Sequence, residues 1–192
     1  MSVLFEPVTI GGLRLKNRFV RSATNDYLGR PDGSISAQQI DLYRDLAAGG
    51  VSLIVTGHAY VQHPLGRASV NQNAIYDDRF IEGYRRLADA MHAEGAALVV
   101  QISHAGRQTP QDWPADQVPV APSAVWEGQT GRTPRALTEE EIWSRFPGLS
   151  SASRIWSPDC VRGSRRRSAH PATRASIPRD CGVAVRTSRS PV

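Results

Sequence analysis

The feature of the sequence that most constrains its fold is a helix followed at once by an apolar strand, a pattern that occurs twice. The first helix, "SAQQIDLYRDLAAGG", repeats apolar residues every three or four positions between a capping serine and two glycines, and "VSLIVTG" follows it. The second, "DRFIEGYRRLADAMHAEG", has the same periodicity and leads into "AALVVQIS". Two strands without polar alternation, each preceded by an amphipathic helix, predict a parallel sheet covered by helices.

The segments around this pattern complete an α/β organisation. Leu53 and Leu98, which are equivalent in the two strands, lie 45 residues apart, so a long loop follows the first strand. "VTIGGLRL" predicts a β-hairpin turned by two glycines, and "RFVRSAT" predicts a short strand. Thr138 and Glu141 form a T-x-x-E capping box that begins a third helix.

The second strand ends in a cluster of hydrogen-bonding side chains. By the two-residue period of a strand, Val99 and Gln101 share one face of the sheet and Val100 shares the other face with Ile102. His104 and Arg107 follow in the next loop. In β/α folds the ligand side is the carboxyl end of the parallel strands, so we expect a binding site here.

Five segments, in this order and at this spacing, resemble the Old Yellow Enzyme family of FMN-dependent NAD(P)H:flavin oxidoreductases, or ene-reductases. They are "LKNRFVRSAT", "GGVSLIVTG", "VVQISHAGRQ", "VAPSAV" and "RALTEEEI", and the likeness covers about residues 3–142. The resemblance implies a (β/α)8 TIM barrel with FMN across its carboxyl-terminal mouth. Residues 1–142 then correspond to the hairpin and about three β/α units of an incomplete barrel.

The resemblance also implies a set of cofactor-binding residues. Ala23 and Thr24 match residues whose backbone lies along the flavin, and Gly57 matches a small residue that lets the ring approach. Gln101 matches a glutamine whose amide bonds the pyrimidine edge, which suits a heterocycle with alternating carbonyl and N–H groups. Read without the resemblance, Gln101 is a strand-end amide that satisfies backbone groups, and Gly57 is a strand terminator.

Other residues near the expected site receive supporting roles. Tyr27 falls where one branch of the family has a substrate-side tyrosine. His104 and Arg107 are expected to brace the loop around the site. His58 and His63 are expected to be loop residues and not metal ligands, because no acidic or sulfur partner has matching spacing. We predict no metal site.

The chain departs from the family pattern after the first strand. Ala23 stands where many members have proline, and Asn25 stands where some carry a redox-tuning cysteine. These changes leave flavin binding as the expectation, and they leave the redox tuning and the substrate class open.

Residues 143–192 differ from the rest of the chain in composition. Residues 1–142 hold 12 Arg, one Lys and 16 acidic residues, a net charge of −3, whereas residues 143–192 hold ten Arg and two acidic residues, a net charge of +8. This tail also contains ten Ser and five Pro and shows no apolar periodicity. Cys160 and Cys181 provide neither a disulfide framework nor metal-ligand spacing.

Three interpretations of this irregular basic tail stay open. It is a solvated, disordered segment, or it binds nucleic acid through "RGSRRRS", although the absence of interleaved aromatic residues makes nucleic acid an unexpected partner. The interpretation that we favour is a shifted reading frame of a GC-rich gene. The periodicity stops in mid-helix, and the whole chain has 22 Arg and one Lys.

The expected function is hydride transfer from NADH or NADPH, through FMN N5, to an activated alkene as the small-molecule substrate. The family's substrate-holding histidine pair and tyrosine proton donor are not recognisable in residues 143–192, where His170 stands alone. We therefore assign no catalytic residue and expect the chain to be truncated and impaired in turnover. The alternative is a non-catalytic product whose tail at most binds nucleic acid.

The sequence also indicates the location of the protein and its assembly. No apolar run approaches the roughly 20 residues of a membrane span, and the N-terminus lacks a signal peptide, so a cytoplasmic location is expected. The resemblance allows a homo-oligomer in which a neighbouring subunit completes the site.

Overall fold

The computed structural model describes residues 2–110 and 112–143 of the 192-residue chain. The predictions for the tail concern residues outside this part, except for Trp143 at its start. No helix within the described residues combines the length and the apolar character that crossing a membrane would require.

The elements of the described part alternate in the predicted order. Its strands are β1 (Val8–Ile10), β2 (Leu13–Leu15), β3 (Val20–Arg21), β4 (Leu53–Val55), β5 (Ala59–Tyr60), β6 (Ala97–Val99), β7 (Ile102–Ser103), β8 (Val120–Ala121) and β9 (Arg135–Ala136). Its α-helices are α1 (Ala37–Ala48) and α2 (Ile81–Ala93), and 3-10 turns occupy Val3–Phe5 and Asp78–Phe80. A further helix begins at residue 139 and continues to residue 143.

The parallel sheet is the centre of the fold. Its strand order is β3-β4-β6, with Val20 opposite Leu53 and Leu53 opposite Ala97. Parallel neighbours joined through helices confirm the α/β class predicted from the two helix–strand repeats. The carboxyl ends of all three strands therefore meet at one edge of the sheet.

One face of the sheet packs against the two helices. Ile54 is fully buried there, as are Tyr43 of α1 and Met91 of α2. Leu53 and Val99 lie on the other face and are half-buried. The apolar periodicity of the two helices therefore predicted correctly which face of each helix packs into the core.

The N-terminal hairpin confirms the predicted glycine turn. Strands β1 and β2 are antiparallel, and Gly11 and Gly12 have φ angles of 53° and 86°, which glycine adopts without a Cβ penalty. Beyond the hairpin, Lys16 Nζ donates to the backbone oxygens of Glu94 at 2.8 Å and Ala47 at 3.3 Å. A cation at the carboxyl ends of two helices is favoured by their dipoles.

The third helix begins at the predicted capping box. The Glu141 N–H donates to Thr138 Oγ1 at 3.1 Å, and the Thr138 N–H donates to Glu141 Oε2 at 2.9 Å. Both hydrogen bonds of the motif are present, so this prediction is confirmed.

A buried polar network fixes the loop that follows β3. The Asp26 carboxylate accepts from the Tyr43 hydroxyl at 2.7 Å and from Gln39 Nε2 at 3.0 Å. The Tyr43 hydroxyl in turn accepts from the Gly57 N–H at 3.0 Å. Burial, and then the hydrogen bond to Asp26, raise the pKa of Tyr43 to about 12. The phenol therefore stays protonated and donates a hydrogen bond to the carboxylate.

The structure differs from the predicted course of the second strand. The sequence predicts one strand through residues 97–103, but β6 ends at Val99 and Ile102 begins a separate strand, β7, that pairs with β5. The β8–β9 pair was also not predicted. Such two-residue pairs carry too little sequence pattern to distinguish them from loops.

Substitution of Ile54 by alanine should lower the free energy of unfolding by about 2–5 kcal/mol, because it leaves a cavity between the sheet and both helices. Ile54 is 0% exposed. Urea denaturation followed by circular dichroism measures the change. Val118→Ala, at a site that is 58% exposed, should change the same quantity by less than about 0.5 kcal/mol.

Tyr43→Phe should cost about 1–3 kcal/mol of unfolding free energy, because it leaves the buried Gly57 N–H without an acceptor. Tyr84→Phe is the matched control. The Tyr84 hydroxyl is buried and has no hydrogen-bond partner among the described residues, so its loss should leave stability unchanged or raise it. Equal losses in the two variants would contradict the role given to the Tyr43 hydroxyl.

Candidate functional site

The predicted cofactor-binding residues meet at the carboxyl edge of the parallel sheet. Ala23 and Thr24 follow β3, Gly57 follows β4, and Gln101 follows β6. Because these strands are parallel neighbours, their ends lie side by side. The tertiary structure thus brings together residues that are up to 78 positions apart in sequence. Their contacts with a flavin stay predictions.

Gln101 has a fixed backbone and an unengaged side chain. Its carbonyl oxygen accepts from the Ala59 N–H at 2.7 Å. Its neighbours Val100 and Ile102 pack against the hydrophobic core, which directs the intervening side chain to the opposite face. The Gln101 amide is half-buried and forms no hydrogen bond with any residue in 2–110 or 112–143. It therefore keeps both a donor and an acceptor for a ligand.

Close packing of the chain favours glycine at position 57. A Cβ at this position would lie 3.0 Å from the Thr24 carbonyl oxygen and 3.4 Å from Asn25 Cα. The sequence interpretation explains this glycine by the approach of the cofactor ring. The structure adds a different reason, which is that the backbone after β3 crosses directly over it.

Beside this edge lies an open cleft of about 280 Å³. Its walls are formed by Asn25, Tyr27, His58, Ala68, Ser69, Gln108, Thr109, Gln129 and Thr130, which we call the Tyr27–His58 cleft. Tyr27 is the residue predicted to face the substrate. The structure places it in the cleft wall, and its contact with a substrate stays a prediction.

The backbone at Tyr27 is in the left-handed region, with φ of 57°, which is uncommon for a residue with a side chain. Side chains on the same loop hold this conformation. The Tyr27 N–H donates to Asn25 Oδ1 at 3.3 Å, and the Leu28 N–H donates to Asp26 Oδ1 at 2.9 Å. Such conformations persist only where the surroundings fix them, and they cluster at binding sites.

His58 was given no functional role from the sequence, yet it lines this cleft. Its Nδ1 lies 3.1 Å from Ser103 Oγ, which joins the loop after β4 to β7. Burial lowers the pKa of His58, so the imidazole is neutral at neutral pH. No sequence signal marked it, because its partners lie 14 and 45 residues away. Among the described residues, no three His, Cys, Asp or Glu side chains are grouped to hold a metal ion.

His104 and Arg107 lie in the loop after β7 and contact other loop residues. The Gly106 N–H donates to His104 Nδ1 at 3.0 Å, which leaves Nε2 to donate to Gln62 Oε1 at 3.0 Å. Arg107 pairs with Glu127, whose side chain is 11% exposed, at 3.2 Å. These contacts are of the kind expected for residues that brace a loop, and the supporting role stays a prediction.

The donor set at the sheet edge fits a flavin. FMN presents a flat ring with apolar faces and an edge of alternating acceptors and N–H groups. Gln101 supplies a free amide for that edge, and Ala23 with its methyl group and Gly57 with no side chain leave room along the strand ends. The chemistry of the described residues is thus compatible with the cofactor that the resemblance implies.

Comparisons with known proteins agree on one family. A sequence profile described as the NADH:flavin oxidoreductase / NADH oxidase family matches residues 3–147. A metal reductase of Desulforamulus reducens is 45% identical over 155 residues, which is 80% of this chain and 22% of that protein.

Solved structures show the same fold. Morphinone reductase in complex with tetrahydroNAD superimposes with a TM-score of 0.71 at 27% identity, over 81% of this chain and 46% of that one. Old Yellow Enzyme from Pichia sp. AKU4542 gives a TM-score of 0.71 at 22% identity, over 80% of this chain and 42% of that one.

The chain spans between about a fifth and two-fifths of the length of the curated relatives that it matches first. The matched region includes every residue predicted to contact the cofactor, from Ala23 to Gln101, and it extends five residues past the expected boundary at 142. By the match over most of its length, this chain belongs to the NADH:flavin oxidoreductase / NADH oxidase family, the Old Yellow Enzyme family.

Proposed function

We propose that this chain binds FMN at the carboxyl edge of its parallel sheet, as part of an NAD(P)H-dependent oxidoreductase that reduces activated alkenes. The observation that carries the proposal is the Gln101 amide, which is half-buried at the end of β6 and unengaged by the described residues. A half-exposed amide that no described protein group engages can both donate to and accept from a ligand. Family membership favours FMN as that ligand.

Each predicted residue has a task toward the cofactor. Gln101 would donate to and accept from the pyrimidine edge, and the backbone at Ala23 and Thr24 would border the ring. Gly57 allows the loop after β3 to lie close to the strand ends. When bound, FMN supplies hydride transfer, from a reduced nicotinamide to the β-carbon of an electron-poor alkene.

The polar network beneath the site holds these residues in place. Tyr43 links the Gly57 N–H to the Asp26 carboxylate, and Asp26 holds the loop that carries Tyr27. A binding residue on a loop needs such support, because errors of about 1 Å weaken positioning. We propose that this network orients Tyr27 toward the substrate.

The substrate-holding and proton-donating groups that the family supplies after residue 142 are not identified in this sequence. Flavin binding is therefore the step of the proposed function to test first. Turnover with an activated alkene such as 2-cyclohexen-1-one, driven by NADH or NADPH, is the second step, and we propose that it is impaired in this chain.

The purified chain, incubated with FMN and freed of excess, should retain an absorbance band between about 350 and 500 nm. Gln101→Leu should weaken FMN binding by about 3–10-fold, because it removes the hydrogen bonds to the ring without changing the size of the side chain much. Fluorescence titration with FMN measures the affinity.

Gln38→Leu is the control, since Gln38 is an exposed residue of α1 and does not line the cleft. It should leave the affinity unchanged. A folded protein that stays colourless would overturn the proposal, and equal affinities of the wild type and Gln101→Leu would remove Gln101 from the site.

A further inference from the structure

The His58 ring is held through one nitrogen and leaves the other available. Nδ1 lies 3.1 Å from Ser103 Oγ and 3.3 Å from Gln72 Nε2. Nε2 forms no hydrogen bond with any described residue, and the ring lines the Tyr27–His58 cleft. The question is whether this nitrogen presents a proton or a lone pair to a molecule in the cleft.

The orientation of the Gln72 amide answers it. Gln72 is buried, and its Oε1 accepts from the Ala68 N–H at 2.7 Å. The other end of the amide is therefore the NH₂ group, which donates to the His58 carbonyl oxygen at 3.1 Å and points toward Ser103 Oγ at 3.4 Å. Only donors of Gln72 thus face His58 and Ser103.

These donors fix the tautomer of the imidazole. Since Gln72 donates toward Ser103 Oγ, the serine hydroxyl is free to donate its own proton to His58 Nδ1. A proton on Nδ1 would instead face the Gln72 NH₂ group, and two donors repel. The neutral ring therefore accepts at Nδ1 and carries its proton on Nε2.

The other cleft residues define the kind of molecule that fits. All nine are uncharged when His58 is neutral, and most offer amide or hydroxyl groups. With no cation in the wall, burying a carboxylate there would cost more than burying a neutral carbonyl group. The cleft therefore favours a neutral molecule with a carbonyl oxygen.

We propose that His58 is a substrate-binding residue, whose Nε2–H donates a hydrogen bond to the carbonyl oxygen of a small neutral molecule in the Tyr27–His58 cleft. Ser103 and Gln72 are positioning residues that set its tautomer. This inference rests on the proposed function. A carbonyl group conjugated to an alkene activates it toward hydride, so a residue that binds a carbonyl oxygen fits an enzyme that reduces activated alkenes.

The tautomer is tested in the full chain with ¹⁵N-labelled histidine. Long-range ¹H–¹⁵N spectra at neutral pH should show a protonated Nε2 and an unprotonated Nδ1 for His58, assigned by the signal lost in His58→Phe. Ser103→Ala should shift this ring toward a mixture of tautomers. A protonated Nδ1, or an imidazolium, in the wild type would overturn the inference.

The contact is tested with 2-cyclohexen-1-one as the probe, in the same spectra and with no nicotinamide present. The probe should shift His58 Nε2, and its affinity should fall by about 3–10-fold in His58→Phe and in Ser103→Ala. Ser69→Ala is the control. Ser69 lines the cleft and accepts from Asn25, but it forms no hydrogen bond with His58, so the histidine tautomer should not change.

The titration is run with and without FMN, which separates the two claims. Loss of the flavin band with a retained shift of His58 Nε2 would sink the proposed function and keep this inference. A flavin-loaded protein in which folded His58→Phe and Ser103→Ala both bind the probe as the wild type does would overturn the inference alone.

Discussion

The rest of this structure depends on the two hydrogen bonds formed by the hydroxyl of Tyr43. Its ring is fully buried between the helices and the sheet, under the guanidinium of Arg21 at 4.8 Å. Its hydroxyl joins the Asp26 carboxylate to the Gly57 N–H. Apolar burial alone would leave the loop after β3 free to move, and this pair of bonds ties that loop to the end of β4.

These hydrogen bonds explain how a small sheet can position a binding site. The strands of the central sheet are only two or three residues long, so they fix few side chains by themselves. Residues that would contact a ligand lie just beyond the strand ends, where the backbone hydrogen bonds of the sheet no longer hold them. Asp26, Gln72 and Ser103 supply the missing order through side-chain hydrogen bonds, which are strong where water is excluded.

Adjacent residues just past a strand end have different roles. Gly57 is small because the backbone of Thr24 lies 3.0 Å from where its Cβ would be, and His58 beside it points a ring into the open cleft. The residues just past the strand ends are thus divided between a proposed cofactor edge and a proposed substrate cleft.

The sequence by itself determined the elements whose physics is local. Apolar periodicity places α1, α2, β4 and β6, the Gly11–Gly12 pair requires a turn, and Thr138 with Glu141 caps a helix, because each signal lies within a few residues. Five motifs in register identified the family, and they predict Ala23, Thr24, Gly57 and Gln101 as the cofactor-binding residues. Only the tertiary structure decided that His58 lines a cleft, that Gln72 sets its tautomer and that Tyr43 holds the loop. Those contacts join residues 14 to 45 positions apart, and their geometry exists only once the sheet and helices have packed.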